Sequence, residues 1–178
     1  MKFNFTFFDT EFGFMAGVRR KLNEPIAGIT NRTEDGYYIP FLDYDEMPFD
    51  WVKGELVDIQ KEYHLSKLYV FSSKQDSYHV VSFDKLTREQ YQDLLSRSSC
   101  DPQYKKVPFT WGRRVATLRA TEKGGRKMRL FATIDPQISH NLPKSNAHRI
   151  FFEGLYNLNH DKGVYDNYES VIMAKYRI

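Results

Sequence analysis

Between Tyr37 and Leu95 the apolar residues switch period from that of a strand to that of a helix, back again, and once more to a helix. Tyr37 to Asp45 reads as a strand, with Pro40 arguing for an edge position or a late entry into the ladder. Asp50 is placed to cap a helix on which Val52, Leu56, Ile59 and Tyr63 recur at helical spacing to about His64. Leu68 to Phe71 and Ser77 to Phe83 read as two strands joined by the turn Ser72 to Asp76. Thr87-Arg88-Glu89-Gln90 is a capping box, with Leu86 and Tyr91 set as a hydrophobic staple ahead of a helix carrying Leu94 and Leu95. A further strand or hairpin is expected from Arg114 to Ala120 and Lys127 to Ile134, the second run pointing Met128, Leu130, Ala132 and Ile134 one way. The resulting order is a split βαββαβ unit, the RRM-like arrangement within the α+β class: an antiparallel sheet with helices on one face and the other face free.

Around this core, residues 37–135, the chain divides into an N-terminal unit, 1–36, and a C-terminal extension, 136–178. In the first, Phe3 to Phe8 alternates like a strand before a loop rich in turn residues. In the last, a polar loop from Ser139 to Asn146 precedes a short helix around Ile150 to Tyr156, and a final strand is expected at Tyr168 to Ala174. All 178 residues fit one domain with a sizeable core.

Composition excludes several classes. Cys100 is the single cysteine, so an internal disulfide and a cysteine-based zinc site are ruled out. No apolar run approaches the roughly 18 residues of a membrane span. The opening MKFNFTFFDTEFGF carries Asp9 and Glu11, unlike a signal peptide, so a cytoplasmic protein with no membrane partner is expected. Net charge is only +3 but uneven. From Tyr104 to Leu130, Lys105, Lys106, Arg113, Arg114, Arg119, Lys123, Arg126, Lys127 and Arg129 face one acid, Glu122. Such a stretch points towards phosphate, with Arg113, Arg114 and Lys127 as candidate nucleic-acid contacts.

Strand alternation then brings a constellation together. If Leu42, Tyr44, Tyr78 and Val80 face the helices, Asp43, Asp45, Ser77 and His79 share the opposite face. Paired carboxylates there make a hard, oxygen-rich site suited to Mg²⁺ or Mn²⁺, and a triphosphate could bridge to the cation.

Asp43-Tyr44-Asp45 after an apolar strand, followed by Ser77-Tyr78-His79 on a hairpin strand, resembles the first two motifs of the archaeo-eukaryotic primase superfamily, the catalytic cores of primases and of plasmid and phage primase-polymerases. The segment Val115 to Lys123 is similar to the family's Arg-Leu-Pro-Gly-Thr-x-x-Lys, without its Pro-Gly. The resemblance implies a template-dependent nucleotidyltransferase, a DNA primase or polymerase of phage, plasmid or mobile-element replication, using two divalent metals with Asp43, Asp45 and a third acid as catalytic metal ligands. That third acid is Asp101, with Asp135 as its rival. Ser77 and His79 would hold the incoming nucleotide's phosphates, and Arg119 and Lys123 would contact nucleotide or template. The implied partners are nucleoside triphosphates, a single-stranded DNA template and, for initiation, a helicase or second primase subunit.

Two other readings stand beside it. "FFDTEFG" at Phe7 to Gly13 resembles the first motif of 3′–5′ proofreading exonucleases, which would make Asp9 and Glu11 the metal ligands, although neither His160 before Asp166 nor Tyr156 before Asp161 has the spacing of the late motif. A non-enzymatic single-stranded nucleic-acid-binding domain fits the fold order, the basic stretch and the aromatics.

Overall fold

A computed structural model describes residues 2–7, 10–15, 28–109, 115–119, 125–156 and 158. In chain order the elements are β1 (Lys2–Phe7), β2 (Thr10–Met15), β3 (Gly28–Thr30), β4 (Phe41–Asp45), α1 (Phe49–Glu62), β5 (Leu68–Lys74), β6 (Ser77–Val81), α2 (Arg88–Arg97), α3 (Pro102–Lys106), β7 (Thr117–Arg119), β8 (Arg129–Ile134) and α4 (Asn146–Tyr156). The class is α+β, with antiparallel sheets and a few helices. The expected strand at Tyr168 to Ala174 lies outside the described residues.

The main sheet has the order β4-β6-β5-β8, every neighbouring pair antiparallel. β4 and β5 are joined through α1 with β6 inserted between them. β8 adds to the free edge of β5, so β4 remains the outermost strand. The ladder of β4 begins immediately after Pro40, which has no N–H to give it. Tyr38 makes only isolated bridges, to Arg32 and Leu86. The outer edge of β4 is closed without another strand: the Tyr91 hydroxyl donates to the Phe41 carbonyl at 3.0 Å, and the Asp101 N–H to the Asp43 carbonyl at 2.8 Å.

α2 starts as its capping box requires. Thr87 Oγ1 accepts from the Gln90 N–H at 3.2 Å, and Gln90 Oε1 accepts from the Thr87 N–H at 2.9 Å. Asp50 does not cap α1. Pro48 occupies the cap position with no side-chain bond, and Asp50 lies inside the first turn, where its charge complements the helix dipole. Val52, Leu56 and Ile59 of α1 and Tyr91, Leu94 and Leu95 of α2 pack on Leu42, Tyr44, Tyr78, Val80, Leu68 and Val70 of the sheet, as alternation demands.

The expectation of helices on one face and a free second face is corrected. Phe41, Phe71 and Val81 form a second apolar surface, and it is covered by Phe152 of α4, Leu118 of β7, Met128 and Phe83. Exposed to water, three large apolar side chains would forfeit about 1.5–3 kcal/mol each, which is the physical reason for a second cover. The expected hairpin over 114–134 is corrected too. β7 pairs with β3, not β8, in a separate two-stranded sheet. There Gly28 is required, since a Cβ would meet Leu118 O at 2.7 Å. Buried Asn31 ties the parts together, accepting from the Ala116 N–H at 2.8 Å and donating to the Ile39 carbonyl at 3.3 Å. In β8 the register against β5 shifts between Val70 and Phe71, so Phe131 is an extra residue. Ala132 and Ile134 therefore join the first core while Met128 joins the second, and the uniform face read from the sequence is broken.

Candidate functional site

Asp43 lies opposite His79, and Asp45 opposite Ser77, in the β4–β6 ladder. Because Tyr44 and Tyr78 point into the first core, these four side chains emerge together on the second face, beyond the part that α4 covers. The sequence-derived juxtaposition is therefore present. Asp45 Oδ1 accepts from the Ser77 hydroxyl at 2.6 Å and faces Lys74 Nζ at 3.2 Å. The Ser77 hydrogen bond holds the Asp45 carboxyl below the usual carboxylate range; partial burial opposes this and Lys74 adds to it.

Asp43 and His79 are each about one-fifth exposed, with His79 Nδ1 at 3.0 Å from Asp43 Oδ1. Their contact is close but lacks hydrogen-bond alignment, so these two buried atoms face each other without a directed bond. A carboxylate oxygen and an imidazole nitrogen left in that condition suit a site that receives a further group. Tyr104 adds to this corner. Its hydroxyl is buried beside Tyr91 with no well-aligned hydrogen bond among the described residues, and burial first, with Tyr91, Cys100 and Asp43 nearby, pushes its pKa well up. Burial likewise pushes the Cys100 thiol up to about 12, so it is an inert packing group.

The structure separates the remaining candidates. Asp101 reaches Asp43 only through its backbone; its Oδ1 accepts from the Gln103 and Tyr104 N–H groups at 2.8 and 2.9 Å, capping α3. Asp135 follows β8 at the opposite end of the sheet, paired with Lys67 at 2.9 Å, and is not brought to the acid pair. Arg119 ends β7 opposite Gly28 in the small sheet. Lys127 is exposed beside Arg126 and Arg129. Arg113, Arg114, Lys123 and Asp9 lie outside the described residues, while Glu11 stands in β2 opposite Thr6.

For a metal, Asp43 and Asp45 supply hard oxygen donors on one face, and Mg²⁺ is commonly held by one or two carboxylates together with substrate phosphates. Asp45 Oδ1 is engaged by Ser77 and Lys74, so its second oxygen and the Asp43 carboxylate are the donors left to a cation. Among the described residues no three His, Cys, Asp or Glu side chains gather as a complete metal cage.

Lys74 is the site residue that sequence reasoning missed. Its signal was present: β5 and β6 are joined through Gln75 and Asp76, with Asp76 at φ 54°, which places Lys74 directly opposite Ser77. Taking the turn as Ser72 to Asp76 hid that pairing. Comparison with known proteins adds no relative: no family model, no curated protein and no solved structure matches the chain.

Proposed function

We propose that the chain is a template-dependent nucleotidyltransferase of the primase–polymerase kind, using Mg²⁺ or Mn²⁺ in the replication of a phage, plasmid or other mobile element. The observation that carries this reading is the register Asp43↔His79 and Asp45↔Ser77, which gathers two carboxylates, an imidazole and a hydroxyl on one face. It has the composition of a phosphoryl-transfer site, where positioning and charge compensation do most of the catalysis. The run from β4 through α2 supports an RRM-like core, although β8 stands on the edge of β5.

A divalent cation on Asp43 and Asp45 would compensate the triphosphate's charge and polarise its α-phosphate. The chain's own groups do the rest. Ser77 fixes the Asp45 carboxylate in its ionised form. His79 orients the nucleotide's phosphates from beside Asp43, and Lys74 offers them an ammonium. The 3′-hydroxyl of the growing strand attacks the α-phosphate, and pyrophosphate leaves. Asp101, as the third acid of this reading, would have to release its cap on α3.

The test is primer extension and unprimed synthesis on single-stranded template with Mg²⁺ or Mn²⁺, with and without a helicase or second primase subunit. The double change Asp43→Ala, Asp45→Ala should abolish product while the far-UV circular dichroism is unchanged. Product that survives the double change defeats the proposal. Shortening of the primer when nucleotides are omitted favours the exonuclease reading instead.

A further inference from the structure

A cleft of about 450 Å³ opens at the start of β8, lined by Ser72 and Ser73 of β5, by Arg126 and Lys127, and by Leu130 and Phe131. Arg129, directly opposite Ser72, completes its basic wall. Arg126, Lys127 and Arg129 are all exposed. Lys67, Lys74, Lys85, Arg97 and Arg149 each pair with a carboxylate, but among the described residues no carboxylate lies within ion-pair range of these three. Three cations lining one cleft, with no carboxylate of the described residues in ion-pair range, create a local positive field that a polyanion would relieve.

The second observation is Phe131. It is the extra residue of the β8 bulge and remains 53% exposed. Its ring is nonetheless braced, edge-on to Phe49 at 4.8 Å and tilted against Tyr78 at 5.3 Å. A half-exposed aromatic held in place beside a cluster of cations is the combination that binds single strands: bases stack on the ring and phosphates follow the charges. Inorganic phosphate would use the cations and leave the ring idle.

The cleft lies at the same end of the sheet as the acid pair but on the other face: Arg129 stands opposite Ser72, Ser72 stands opposite Tyr78, and Tyr78 points into the first core. Arg129 and the Ser77–Asp45 pair occupy the same end of the sheet, with β6 and β8 separated by β5 alone. We infer that single-stranded nucleic acid lies in this cleft, phosphates on Arg126, Lys127 and Arg129 and a base on Phe131. The inference rests on the nucleotidyltransferase reading for the identity of that strand as template. The binding itself needs neither metal nor nucleotide, so the two ideas fail separately.

The test is fluorescence anisotropy of a short labelled oligothymidylate with the full chain in EDTA, across a salt series. The wild-type chain binds. The combined change Arg126→Ala, Lys127→Ala, Arg129→Ala weakens binding at least about tenfold and makes the log–log salt slope shallower by about two, since each phosphate contact on a single strand contributes about 0.7. Phe131→Ala weakens it at least about fivefold, the lower end for loss of one stacked base, and Phe131→Trp restores it. Unchanged thermal midpoints show that the variants remain folded. Affinities within twofold of wild type for both the triple variant and Phe131→Ala would overturn the inference. So would displacement of the strand by an equal concentration of thymidine triphosphate. Strand binding without any synthesis leaves the inference standing and defeats the polymerase reading; synthesis whose template dependence ignores the triple change does the reverse.

Discussion

Phe152 should be among the costliest side chains to remove. It is 1% exposed, and its ring contacts Phe41, Phe71 and Phe83 at centroid distances of 6.1, 5.7 and 5.7 Å. Phe152→Ala therefore deletes the knob by which α4 closes the second face and leaves a cavity between three rings that cannot all collapse inward. Core truncations of this kind cost about 3–5 kcal/mol, a large fraction of the roughly 5–15 kcal/mol that holds a domain folded. With a urea m-value of about 2 kcal/mol/M, the midpoint should fall by about 2 M. The assay is urea unfolding followed by far-UV circular dichroism. Leu155→Ala, on the same helix but 42% exposed, should stay within about 0.5 kcal/mol of the parent and serves as the control. A midpoint shift below about 0.5 M for Phe152→Ala would refute the second face as a packed core.

Other expectations follow from single contacts. Thr87→Ala removes the acceptor for the Gln90 N–H and should cost about 1 kcal/mol, read as a lower thermal midpoint, with Thr87→Ser close to wild type. Ser77→Ala removes the largest influence holding down the Asp45 pKa, so a ¹³C-carboxyl NMR titration should show Asp45 protonating at higher pH than in the parent. His148 joins α4 to β3, with Nε2 at 2.8 Å from the Thr30 carbonyl and Nδ1 at 2.7 Å from the Ser145 hydroxyl. Burial lowers its pKa below the ordinary 6.5, partly offset by the Thr30 contact. The unfolded chain therefore binds that proton first as pH falls. The stability owed to neutral His148 is complete above about 6.5 and is lost from there down to its lower folded value. In a pH series of urea midpoints, His148→Gln should show a smaller loss over that window than the parent; parallel curves would refute the assignment.

How far the sequence could be read depends on the range of the interactions involved. The capping box at Thr87 is complete within four consecutive residues, and it appears as expected. The acid pair and His79 were legible because alternation is a local rule, and buried Tyr44 and Tyr78 fix which way it points. Pro40 announced a late entry into the ladder, and β4 does begin after it. What stayed hidden is set by partners far apart in the chain. Nothing near Thr117 says that it pairs with Thr30. Leu130 looks like a continuation of Ala132 and Ile134 until the bulge at Phe131 puts it out of phase. Asp101 carries a carboxylate at a suitable place in the order of motifs, yet Gln103 and Tyr104 engage it locally. Phe41, Phe71 and Val81 stand on the face expected to be free, and their cover comes from α4, late in the chain.

The pairing of β4 with β6 makes correct threading and chemistry a single decision. Were β4 to slide by one residue, Leu42 and Tyr44 would turn outward, and the charges of Asp43 and Asp45 would be driven in among Val52, Leu56 and Tyr91. Burying two unpaired carboxylates is far costlier than anything the slid arrangement could regain. A mis-set copy of this chain would lose much of its stability, so the register that folds best is also the one that sets both acids facing His79 and Ser77.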